Sequence, residues 1–215
     1  MEHNRVILST AYFAPIQYYS KLSLYSHIII ENCETYPKQS YRNRCYILSS
    51  NGPLPLSIPV DKGISGKRTI SDITIDYSSR WQSIHLHALK SAYRNSAYFD
   101  YYIDELMCFF LNKEKYLIDL NTNILEKTME IVGMQRNLEF SGTYRKQWSV
   151  CDDFRNSIHP KPQYNSIDKQ FCAKPYYQVF GERQYFAPNM SILDLIFNEG
   201  PLSLQIIRDC SRHNV

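Results

Sequence analysis

The dipeptide Asn51-Gly52 constrains this chain more than any other pair of residues. It stands between two largely apolar stretches, Arg44 to Ser50 (RCYILSS) and Leu54 to Val60 (LPLSIPV). Asn-Gly readily takes the positive-φ conformations of a tight two-residue turn, so the two stretches are predicted to pair as an antiparallel hairpin. Pro55 and Pro59 have no amide N–H to give to a ladder, which pushes the second strand towards a sheet edge.

The segments around the hairpin alternate between strand and helix signals. Arg5 to Ala11 (RVILSTA) reads as a short buried strand, and Pro15 suits the first turn of a helix carrying Gln17, Tyr18, Tyr19, Leu22 and Tyr25. Ile28 to Glu31 reads as a further strand, and the alternation in Asp72 to Asp76 (DITID) as another. Beyond Tyr77 the period changes. Ser78-Ser79 can cap a helix from about Arg80 to Arg94, with Trp81, Ile84, Ala88, Leu89 and Ala92 at helical spacing. Ala97 to Leu111 and Tyr116 to Met134 read as two more helices, the second ending near Gly133. Glu139 to Ala173 shows no period and is expected to be a functional or poorly ordered loop. Ser191 to Phe197 reads as a capped apolar helix, stopped by Gly200-Pro201 before a last one.

These elements predict an α+β fold: a small mixed sheet from the N-terminal part, including the antiparallel hairpin, packed with a layer of several helices. One domain is expected over 1–215. Residues 1–77 are mainly strands plus one helix, 78–135 are helical, and 136–215 hold the irregular stretch and short C-terminal helices. At 215 residues with 44% hydrophobic content, the chain can bury a core of that size.

Composition excludes several function classes. The net charge of +3 comes from scattered basic residues, which argues against nucleic acid as a partner. No run is long enough to span a bilayer, and Val6-Ile7-Leu8 is too short for a signal-peptide core, so a cytoplasmic protein without membrane insertion is expected. The six cysteines have no C-x-x-C spacing and read as free thiols, and no metal and no cofactor are expected. There is no G-x-G-x-x-G, no G-x-x-x-x-G-K-[ST], no G-x-S-x-G and no H-E-x-x-H, so any chemistry must come from a dispersed site.

Three clusters are candidates. In Lys38-Gln39-Ser40-Tyr41-Arg42-Asn43-Arg44, an extended backbone points Arg42 and Arg44 to one face and Asn43 to the other. Two guanidinium groups on one face suit a pyrophosphate or carboxylate; the alternative is that they pair with Asp72 or Asp76 across the sheet. Trp81 and His85 lie one turn apart on a helix. There His85 is either a satisfied core residue or a general base held beside an aromatic platform, and His159 is a second candidate base. Tyr177 and Gln178 can grip sugar hydroxyls or a base edge, while Asp194 at the start of its helix reads as structural.

Taken in order, several blocks resemble the WbqC-like family of bacterial surface-polysaccharide and O-antigen gene clusters. They are Tyr12-Phe13-Ala14-Pro15, Gln39 to Arg44, Asn51-Gly52 before Ile58-Pro59-Val60, Trp81 with His85, Ala92-Tyr93, Tyr98-Phe99, Leu120-Asn121, Tyr177-Gln178 and Pro188 to Pro201. Many members carry Gln-Pro ahead of the Tyr-Phe pair. This chain has Ser9-Thr10-Ala11, so Gln17 or Ser9 would have to take over any ligand contact there.

The resemblance implies surface-glycan biosynthesis, with transfer of an acyl or aminoacyl group to a nucleotide-activated amino sugar as its extension. In that scheme His85 is the base, and Tyr12, Gln39, Arg42, Asn43, Arg44, Trp81, Tyr177 and Gln178 bind the nucleotide-sugar or amino-sugar molecule. The alternative is a non-catalytic binding or scaffold subunit for a partner enzyme of glycan biosynthesis.

Overall fold

The computed structural model describes residues 4–61, 68–161, 168–181 and 185–211. Residues 162–167, part of the stretch from Glu139 to Ala173 read as aperiodic, lie outside them.

Strand β1 (Arg5–Ser9) runs through a turn into helix α1 (Ile16–Leu24) and on to β2 (His27–Glu31), which pairs parallel with β1 from Arg5↔His27 to Ser9↔Glu31. The next pair, β3 (Arg44–Ser49) and β4 (Gly52–Ser57), forms the expected hairpin, in register from Arg44↔Ser57 to Ser49↔Gly52. Gly52 sits at φ 101°, the conformation that the Asn-Gly signal anticipates.

A helical stretch follows: α2 (Trp81–Tyr93), α3 (Phe99–Leu106), α4 (Cys108–Leu111) and α5 (Leu117–Ile131). The predicted helix over 97–111 is thus divided at Met107. Asp72 to Asp76 is not a strand: a 3-10 turn covers Ile70–Asp72, and Thr74 and Ile75 make single bridges to Tyr116 and Val60.

The region read as irregular supplies two more strands, β5 (Leu138–Phe140) and β6 (Asp152–Asp153). β5 adds parallel to β2 and β6 parallel to β1, giving a four-stranded sheet of order β5-β2-β1-β6 beside the separate β3-β4 hairpin. The fold is α+β, as expected, with a parallel sheet and an antiparallel hairpin where one mixed sheet was anticipated.

The uninterrupted apolar runs of β1 and β2 follow from burial on both faces. Val6, Leu8, Ile28 and Ile30 face the main core, while Ile7 and Ile29 pack with Cys151 beneath Trp148 on the other side. Two C-terminal helices close the core, α6 (Ile192–Glu199), whose Ser191 cap accepts from the Leu193 amide, and α7 (Ser203–Asp209). Between them Gly200 lies at φ 49° against the Tyr98 ring, where an added Cβ would come within 2.5 Å of ring carbon.

Candidate functional site

In open parallel sheets ligands favour the crevice at the carboxyl ends of the strands, where the strand order reverses. Here the chain steps from β1 to β2 to β5 and then returns to β6 on the far side of β1, so the reversal lies between β1 and β6. Ser9, Thr10 and Ala11 leave β1 at that point and Phe154 and Arg155 leave β6, with Tyr18 and Arg42 alongside. The space they enclose is only about 10 Å³, room for one water.

Side chains fill the crevice. Arg42 is 2% exposed and grips Glu34 with two bonds, Nε to Oε1 at 2.6 Å and Nη2 to Oε2 at 2.7 Å. Nη2 also donates to the Ser9 hydroxyl, which in turn donates to the Arg155 carbonyl at 2.8 Å. Arg155 donates to Glu31 Oε2 at 2.8 Å and to Asp153 Oδ2 at 2.6 Å, and Glu31 Oε1 accepts from the Ser141 hydroxyl and the Cys33 amide. Each of these buried charges has a charged partner, which is the condition for tolerating their desolvation.

The expected Arg42–Arg44 fork does not form. Arg42 precedes β3 rather than lying in it, and its ion pair is with Glu34, not with Asp72 or Asp76. Arg44 instead lines a second, open space of about 440 Å³ with Thr35, Tyr36, Lys38, Gln39, Asn43, Val60, Asp61, Arg68 and Ile73. That volume suits a small-molecule ligand.

The cavity wall is fixed mainly by backbone bonds. The Tyr36 amide donates to the Arg68 carbonyl, Ile70 N–H to Glu34 O, and Ile58 N–H to Asn43 O, while the Asn121 side chain holds the Arg42 carbonyl at 2.8 Å. Gln39 sits at φ 60°, a conformation that a residue with a side chain seldom adopts and that turns its side chain outward. Burial pushes the Tyr36 hydroxyl up to about 12, opposed by the nearby Arg44 and Arg42 charges.

Two buried polar atoms of this wall have no hydrogen-bond partner: Asn43 Oδ1, an acceptor, and Arg44 Nε, a donor. Asn43 is 9% exposed, and its amide nitrogen is already spent on the Ile58 carbonyl at 2.8 Å. Native proteins rarely leave such atoms unpaired, because the desolvation penalty is then uncompensated. Among the described residues, Lys38, Arg44 and Arg68 form no ion pair, and the carboxylate of Asp61 pairs with no cation.

The remaining predicted residues lie elsewhere. Tyr12, Trp81 and His85 are buried together, with the Trp81 and His85 ring centroids 5.2 Å apart, and none of them lines the open cavity. His85 Nδ1 is 2.9 Å from the Tyr12 hydroxyl, and the ring makes a second bond to the backbone of Ser57. The Ser57 partner is a carbonyl that accepts, so Nδ1 is left to accept from Tyr12 and the imidazole is neutral. Burial lowers its pKa to about 4, the Ser57 bond opposing. His85 is therefore a satisfied core histidine.

His159 accepts from the Lys161 amide at Nδ1, and its pKa is lowered by burial first, with the Arg42 and Arg44 charges adding to the effect. Tyr177 points to solvent at 58% exposure, whereas Gln178 is buried and donates to Asp194 Oδ2 at 2.8 Å and to the Ala187 carbonyl at 3.0 Å. Asp194 also accepts from Tyr93 and Tyr176, and burial raises its pKa. Gln17 and Ser9, the possible stand-ins for the missing glutamine, are likewise engaged: Gln17 with Asp168 and Asn189, Ser9 in the crevice.

Of the predicted binding residues, the open cavity brings together Gln39, Asn43 and Arg44. It adds Lys38, Tyr36, Asp61 and Arg68, which sequence reasoning missed. Lys38 adjoins Gln39 and was within reach of a charge argument. Asp61 and Arg68 flank residues 62–67 and carry no motif; the Thr35↔Thr69 bridge, the Tyr36 N–H bond to the Arg68 carbonyl and the shared cavity set them against the 35–44 loop.

The fold and site together define an α+β protein with a closed, ion-paired crevice at its strand ends and a neighbouring open polar cavity. Within that class, the chain belongs to the WbqC-like protein family, whose model matches residues 10–154. The match ends at Phe154, just beyond β6, so it spans the described lining of the open cavity but leaves out Ser9 and Arg155 of the crevice. The uncharacterised protein Rv1507c of Mycobacterium tuberculosis is similar, 24% identical over 214 aligned residues that cover 90% of this chain and 92% of the relative. No solved structure matches the chain. Among the described residues, no helix is long and apolar enough to cross a membrane.

Proposed function

We propose that this protein acts in bacterial surface-glycan biosynthesis by binding a nucleotide-activated amino sugar, to which an acyl or aminoacyl group is transferred. The observation that carries the reading is the open cavity of about 440 Å³, where Arg44, Lys38 and Arg68 stand without acidic partners beside Gln39, Asn43 and Tyr36. A diphosphate supplies acceptor oxygens for Lys38 and Arg44, and charge complementarity for Arg68, which donates to the Asp61 and Asp72 carbonyls. Sugar hydroxyls match the amide and phenol groups. In the transfer, the amine attacks the acyl carbonyl, a C–N bond forms, the donor's leaving group departs and the amine's proton passes to a base. The structural role of His85 leaves that base unassigned.

The test is a thermal-shift titration against nucleotide sugars and free nucleotides. A ligand present at about 100 times its Kd adds roughly 2.7 kcal/mol of stability. Arg44→Ala is expected to abolish the shift without lowering the melting temperature of the free protein. The absence of a shift with every nucleotide sugar tried would sink the reading.

The core position of His85 also favours a second reading, a non-catalytic subunit that presents the precursor to a partner enzyme. That subunit would bind the nucleotide sugar but yield no acylated product with any acyl donor until the partner is added.

A further inference from the structure

The segment 168–181 is held to the helices beneath it by polar bonds near both ends. Asp168 accepts from Gln17 and forms an ion pair with Lys21 of α1, and Gln178 donates to Asp194 of α6. Between these anchors Phe171 bridges antiparallel to Ser211, just beyond α7, and the Cys172 amide donates to the Cys210 carbonyl at 2.9 Å. That register sets Cys172 opposite Cys210. Residues that face each other across such a bond have Cα atoms about 5.5 Å apart, inside the roughly 4.4–6.8 Å that a disulfide spans.

The sulfur atoms agree with the backbone. Cys210 Sγ accepts from the Lys174 amide at 3.3 Å, so it lies against the segment that carries Cys172. The two thiols are close enough to interact electrostatically, and both are free in this structure. Cys210 is buried and Cys172 half-buried, and an open groove of about 490 Å³ lined by Lys174, Pro175, Ile206 and Asp209 runs alongside them. Cys172 is thus the thiol that a dissolved oxidant meets first.

We infer that Cys172 and Cys210 form a redox staple, in which a small-molecule disulfide oxidises the pair to an intramolecular bond that ties the 168–181 segment to α7. With glutathione disulfide as the oxidant, the Cys172 sulfur attacks one glutathione sulfur, the S–S bond breaks and one glutathione leaves. The Cys210 sulfur then attacks Cys172 Sγ in the mixed disulfide and releases the second glutathione. Two protein thiols are oxidised, one disulfide is reduced, and the two protons pass through solvent to the departing thiolates. The staple is independent of the nucleotide-sugar reading.

The test is incubation of the full chain with glutathione disulfide, followed by denaturation, alkylation of the remaining thiols and peptide mapping. A Cys172–Cys210 cross-linked peptide is expected, with both residues lost to alkylation together. The melting temperature of the oxidised protein is expected to rise by roughly 5–10 °C, because the bond restricts the unfolded chain. Dithiothreitol reverses both changes. Cys172→Ser, at the half-buried position, should lose the cross-link and the rise while melting where the reduced native protein does. Glutathione left on Cys172 with Cys210 still open to alkylation, a cross-link to a different cysteine, no reaction at either residue, or a rise that persists in Cys172→Ser would each overturn the staple.

Discussion

Arg42 and Arg44 stand two residues apart in one loop-to-strand segment, yet they belong to opposite kinds of site. Arg42 is sunk in a crevice where Glu34, Ser9 and the Arg155 backbone meet its donors, and the remaining space is no larger than a single water. Arg44 lines a space some forty times larger by the same measure, with an unpaired Nε and no ion pair among the described residues. A filled site whose charges are paired is rigid and has nothing left to offer a ligand. An open one with unmatched donors and acceptors has its binding capacity in hand. The position at which parallel sheets usually bind ligands has been closed by the protein's own side chains, and the proposed ligand site lies one loop away.

The largest expected effect would break that comparison at the crevice. Arg42→Ala leaves Glu34 buried and unpaired, and should cost about 3–5 kcal/mol in urea unfolding. A loss under about 1 kcal/mol would show that the network is not what holds the crevice shut.

Next in size is a pH effect from His85, which is as buried as Arg42 but neutral. Its pKa is about 4 in the folded protein against 6.5 ordinarily. Between those values the unfolded chain binds the extra proton, so stability is full above about pH 6.5 and falls as pH drops towards 4. The loss is about 3 kcal/mol by the end of that window. Comparing the pH profiles of the native protein and His85→Gln isolates this contribution from those of the paired carboxylates. An unchanged profile in His85→Gln would mean that the imidazole is accessible after all.

Ser9→Ala removes the hydroxyl that links Arg42 to the Arg155 carbonyl, and a cost of about 1–2 kcal/mol is expected in the same assay. Arg44→Ala sharpens the comparison from the other side, with stability expected to stay within about 0.5 kcal/mol while ligand binding is lost. A large destabilisation would place Arg44 among the structural arginines.

Parts of this were legible in the amino-acid order. The β3-β4 hairpin followed from Asn51-Gly52, and β1 and β2 from their unbroken apolar runs, because these signals are local and strong. β5 and β6 were not legible. Three residues and two acidic residues show no period, and they are strands only because β2 and β1 offer them hydrogen-bond partners. Gln39, Asn43 and Arg44, which line the open cavity, stand out in the sequence as polar chemistry packed into one short segment. Arg42, named with them, lies in the crevice instead, for a definite reason. An alternation argument assumes that the strand has already begun, and here it begins at Arg44.

The sequence by itself therefore determined the elements whose causes lie within a few residues: a turn that needs positive φ, helices with an apolar stripe, and strands buried on both faces. Only the tertiary structure decided which charges are paired and which are left over. That depends on partners far apart in the chain: Glu31 with Arg155, Ser9 with Arg42, and Asp61 opposite the 35–44 loop. An arginine's use is set by the acid that reaches it, and neighbouring residues carry no record of which distant acid that will be.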